Sequence, residues 1–91
     1  MILDSIDQTQ PIEIITHAGR EKGVMFLKKI FVADRCYKNL DQAIAASRSD
    51  LDSGFAVLII PHEHQYQVWI SIPPQMILHN HLSQSHSSVA A

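Results

Sequence analysis

The sequence predicts a small α+β domain of order β-β-α-β-β, with one antiparallel sheet and one helix packed on one of its faces. Three observations predict it. Residues 40–51 repeat apolar positions at helical spacing, between a good N-cap and a glycine stop. Phe55-Ala56-Val57-Leu58-Ile59-Ile60 is a continuous apolar run of strand length. Residues 66–72 alternate, with Val68, Ile70 and Ile72 on one parity and Gln67, Trp69 and Ser71 on the other.

The elements follow in order. Residues 1–10 are polar with Ile2, Leu3 and Ile6 interspersed, and read as a flexible N-terminal arm. Pro11 opens a β-branched run through His17, because proline is tolerated at the first strand position. Ala18 to Gly23 has the composition of a hairpin loop, with two glycines around charged residues. Val24 to Val32 reads as a strand with a bulge near Lys28-Lys29, since Lys28 breaks the parity that Val24, Phe26, Ile30 and Val32 share. A helix would instead align Val24, Leu27 and Phe31, but the β-branched and aromatic composition favours the strand.

Asn39 is suited to cap the helix, Gln42 sits in capping-box position, and Asp41 lies where the helix dipole favours negative charge. Leu40, Ile44, Ser47 and Leu51 form the buried stripe, and Gly54 suits the left-handed stop. Pro61 is expected to end the strand 55–60, and Pro61 to Gln65 to form a medium hairpin loop. The domain then spans 11–74. Residues 75–91 read as a polar, disordered tail, with a turn of helix near Met76-Ile77-Leu78.

Composition narrows the function classes. The chain has 91 residues, which suffices for one domain. Its net charge of −2 argues against a dedicated nucleic-acid binder. Cys36 is the single cysteine, so no intrachain disulfide forms. The N-terminal stretch is acidic without a basic n-region, and no apolar run approaches the ~20 residues of a spanning helix. The expected location is the cytoplasm, away from the membrane.

One helix covers one face of a sheet, yet the strand 55–60 is apolar on both. Leu58 and Ile60, on the face away from the helix, are therefore expected to be covered by a second copy or another protein, the alternative being a monomer whose N-terminal arm and C-terminal tail fold over that face. Tyr66 and Trp69 are the exposed aromatics expected to join them, tryptophan being common at interface hot spots.

Other constellations carry weaker signals. His62-Glu63-His64 and His79-Asn80-His81 repeat one spacing, and in extended backbone each places two imidazoles on one side; His86 follows. His62, His64, His79 and His81 would suit Zn or Ni, whereas the plainer reading is solvated loop and tail histidines with no cofactor. Arg20, Lys22, Lys28, Lys29, Arg35 and Lys38, interleaved with Phe26, Phe31 and Tyr37, resemble an RNA-facing or RNase-like surface, or else a solvated hairpin. No nucleophile elbow, phosphate loop or Cys-x-x-Cys is present, so no enzyme is expected. The leading expectation is a small non-enzymatic regulatory or assembly protein acting through protein contacts as a homodimer. A metal-binding protein and a small RNA-binding domain are the alternatives.

Overall fold

A computed structural model describes residues 1–73, 75 and 77–82. Its elements are β1 (Gln10–Thr16), β2 (Gly19–Phe26), β3 (Lys29–Tyr37), α1 (Leu40–Asp52), β4 (Val57–His62), β5 (Gln65–Ser71) and β6 (Ile77–Leu82), preceded by a 3-10 turn over Ile6–Gln8. The strands form one antiparallel sheet in the order β4-β5-β3-β2-β1-β6, and α1 packs on β3, β4 and β5. The α+β class and the helix on one face hold. The strand count differs: there are six among the described residues rather than four.

The expected strand 24–32 is a hairpin. Leu27 and Lys28 are its two-residue turn, with φ of 50° and 66°, and Phe26 pairs with Lys29 across it. Two positive φ values suit the right-handed twist of the strands, as in type I′ turns. The parity break at Lys28 is therefore this turn and not a bulge. The expected loop 18–23 lies mostly in β2, because the β1–β2 turn is only His17-Ala18. Thr16 Oγ1 accepts the Ala18 N–H there at 3.1 Å, and Gly19 follows at φ 122°.

The helix begins as expected. Asn39 Oδ1 accepts the Gln42 N–H at 2.9 Å, and Gly54 stops the helix at φ 93°. Asn39→Ala leaves that donor without its cap, and is expected to lower stability by about 1 kcal/mol in urea unfolding. Ala43 and Ser47 are buried, and Leu40 and Ile44 are half-buried. Ser47 is tolerated there because its hydroxyl donates to the Ile44 carbonyl at 2.9 Å. Leu51 corrects the expected stripe: it is 52% exposed.

β4 continues past Pro61 to His62, because β4 is an edge strand. Val57 and Ile59 turn backbone groups outward: Val57 O accepts the Met1 ammonium at 2.7 Å, and Ile59 exchanges bonds with Met1 O and Leu3 N at 3.0 and 2.9 Å. Residue 61 shares that parity, so its missing N–H falls on the outer side and breaks no ladder bond. Residues 63–64 replace the expected medium loop with a second two-residue turn, at φ 47° and 68°. In the expected tail, Ile77–Leu82 pairs with β1, and residues 83–91 lie outside the described residues.

The two faces of the sheet are both covered. On one, α1 packs Ala43 against Val57, Ile59 and Val68, with Tyr37, Leu40, Ile44, Tyr66 and Ile70 around them. On the other, Leu3 of the arm joins Val24, Phe31, Leu58 and Ile60, with Phe26, Ala56 and Trp69 alongside. The arm runs beside β4 through a parallel bridge, Ile2 to Ile59, which drops Leu3 onto that second face. This corrects the expectation of a second copy or another protein over Leu58 and Ile60: the chain's own arm, the alternative, takes that place. Leu58 and Ile60 are 2% and 1% exposed within a single chain. One well-placed leucine, together with Val24, Phe31 and Trp69 of the neighbouring strands, closes what the strand composition left unaccounted for.

Candidate functional site

On the arm side of the sheet, register sets up a row of residues. Lys22 lies one step beyond the Gly23–Val32 pair and so faces Ala33 across the strands; Ala33 pairs with Trp69, and Trp69 with Leu58. The row holds a long cation, a methyl, an indole and an isobutyl group. Ala33 is the short member, and it leaves a gap between Lys22 and Trp69. Ala33 is exposed at the bottom of that gap.

The gap opens into a cleft of about 430 Å³, within the range of small-ligand pockets. Val24, Ala33, Ile60 and Trp69 form its apolar surface, and Ile6 and Pro11 border it from the arm side. Its polar lining groups are Lys22, His62, Gln67 and Trp69. Gln67 is already engaged: Oε1 accepts the Cys36 thiol at 3.0 Å, and Nε2 donates to Val68 O at 2.9 Å. Trp69 is not. Its Nε1 is buried and has no acceptor among the described residues. A buried N–H without a partner is costly, by about 1–3 kcal/mol.

The four residues expected to form one partner surface divide. Leu58, Ile60 and Trp69 come together on the arm side. Tyr66 packs on the helix side, against the opposite face. Of the four, Trp69 and Ile60 line the cleft.

The histidines divide as well. His62 ends β4 at the cleft, and His64 sits in the adjoining turn at φ 68°. His62 is extended, but the turn at Glu63 and His64 breaks the extended backbone that would aim both imidazoles one way. His79 and His81 lie on β6, opposite Ile15 and Glu13 of β1. β4 and β6 are the two edges of the sheet, roughly 24 Å apart along it at ~4.8 Å per strand. Among the described residues, no three His, Cys, Asp or Glu side chains are grouped to hold a metal ion; His86 lies outside them.

The basic segment 20–38 spreads over a hairpin and the loop after it. Phe31 is 2% exposed, and Phe26 and Tyr37 pack against the two cores, so these aromatics do not form an open stacking row. Lys22 is the member of that segment that reaches the cleft. Sequence reasoning missed Ala33 as a site residue and singled out Lys22 only as one of a basic segment. The signal for Ala33 is a small residue at an inward parity of a strand, which is readable only once the Leu27-Lys28 turn is placed.

Fold and cleft together define a small α+β domain with an arm-covered sheet and an apolar recess lined by Trp69. No helix among the described residues is long and apolar enough to cross a membrane. No protein-family model matches the chain, and comparison with curated proteins and solved structures finds no significant similarity.

Proposed function

We propose that this chain is a small non-enzymatic regulatory protein that works by binding, and that its recognition site is the arm-side cleft over Trp69. The single observation that carries the reading is the apolar recess of about 430 Å³ over Val24, Ala33, Ile60 and Trp69, bordered by a few polar groups. An apolar pocket with a small number of polar groups at its edge is the usual form of a small-ligand site. The polar lining groups are suited to orienting a ligand. The arm contributes Ile6, which is 42% exposed, so the cleft has a border that can adjust to its occupant.

Trp69 is the only tryptophan, so its emission reports the cleft directly. Titration with octan-1-ol, which neither absorbs nor emits in that range, is expected to give a saturable change in emission. Ala33→Phe fills the gap from an exposed position and is expected to abolish the change while leaving the melting temperature within a few degrees. A wild-type emission spectrum unmoved up to the solubility limit of the alcohol would defeat the reading.

A further inference from the structure

Resting on that reading, we infer that the cleft selects apolar monocarboxylates: small molecules with a hydrocarbon body and one anionic head. The fixed charge at the cleft is positive: Lys22 offers an ammonium, Gln67 Oε1 and Nε2 are engaged within the chain, and the His62 imidazole can donate or accept. Among the described lining residues there is no Asp or Glu. A ligand bearing only acceptors, and negative charge, complements that set; an amine does not.

The charges nearby support the assignment to Lys22. Among the described residues Arg20 pairs with Glu13 at 3.5 Å, and His62 Nε2 lies 3.9 Å from Glu63 Oε1, a contact that is an ion pair only with the imidazole protonated. Glu13 stands opposite Lys22 in the β1–β2 register, but its carboxylate is drawn to Arg20. Glu63 is likewise placed beside His62. Lys22 has no ion-pair partner among the described residues, and it sits at the mouth of the apolar recess.

Geometry sets the ligand's orientation. Lys22 and Trp69 are two strands apart, about 10 Å between backbones, with the short Ala33 between them. A carboxylate seated above Ala33 meets the Lys22 ammonium, with the Trp69 side chain walling the recess on the other side. Its hydrocarbon part then runs over Val24 and Ile60 toward Ile6. The apolar body supplies the area removed from water, and the head group supplies selectivity through charge-assisted hydrogen bonds.

The test compares octanoate, octan-1-ol and octylamine, read by Trp69 emission and by amide chemical shifts of residues 22, 33 and 69. Octanoate is expected to bind at least tenfold tighter than the alcohol, and octylamine most weakly. Lys22→Gln is expected to bring octanoate down to the level of the alcohol, and Lys22→Arg to keep the preference. Lys22 is exposed, so neither change threatens folding. Equal binding of octanoate and octanol overturns carboxylate selection while the cleft itself stands. Octanoate binding that survives Lys22→Gln undiminished also overturns it. No response to any of the three compounds overturns both readings.

Discussion

Leu3→Asp is expected to abolish or nearly abolish the cooperative unfolding transition at room temperature. Leu3 is 4% exposed and is the arm's one contribution to the core that contains Val24, Phe31, Leu58 and Ile60. Truncating a buried leucine to alanine alone costs about 2–5 kcal/mol. Aspartate adds an unpaired carboxylate among hydrocarbon, and the whole stability of a domain is only about 5–15 kcal/mol. If the arm then swings away, Leu58 and Ile60 lose their cover. Light scattering should report association of the variant where the parent shows none of that origin. Ile2 is the internal control: it sits on the same arm but is 51% exposed, so Ile2→Asp should change the urea midpoint little. An unchanged midpoint for Leu3→Asp would mean that the arm is not part of the folded core.

The second large effect is expected at Gly23. A Cβ built there comes 2.7 Å from the backbone oxygen of Phe31, with the Ile12 and Ile14 side chains at 3.8 Å. The tight contact is with main chain, so no side chain can swing aside. β2 and β3 must move apart where Gly23 pairs with Val32. Overpacking of this kind costs about 1–3 kcal/mol, and Gly23→Ala is expected at the upper end, because the gain in helix or strand propensity is small beside a backbone clash. Gly23 also lines the cleft, so octanol binding should weaken in the same variant. Urea unfolding measures the first effect and Trp69 emission the second. A variant as stable as the parent would show that the close approach of β3 to β2 is not as drawn.

Much of the helix and of β5 could be read in advance. Asn39, Gln42 and Gly54 carry local signals whose physics is complete within a few residues: an oxygen for an orphan N–H, and a residue free to take positive φ. The alternation at 66–72 likewise separates Val68 from Trp69, and the structure puts the first under the helix and the second on the arm side. The tight turns were harder. Leu27-Lys28 and Glu63-His64 take left-handed backbone without glycine or asparagine in the first position, at a cost of roughly 1–2 kcal/mol per residue. Turn chemistry was silent there. Only the break in parity at Lys28 marked the first of them.

By itself, then, the sequence determined the class of fold, the helix and its caps, and the two-sided apolar character of β4, since each rests on neighbours in the chain. Tertiary structure alone decided what covers the second side of β4. That depends on Leu3 meeting residues more than fifty positions away, a contact with no local signature. It also decided the cleft, which exists because Lys22, Ala33 and Trp69 come from three different strands, and register between strands is set by long-range pairing rather than by any one stretch of residues.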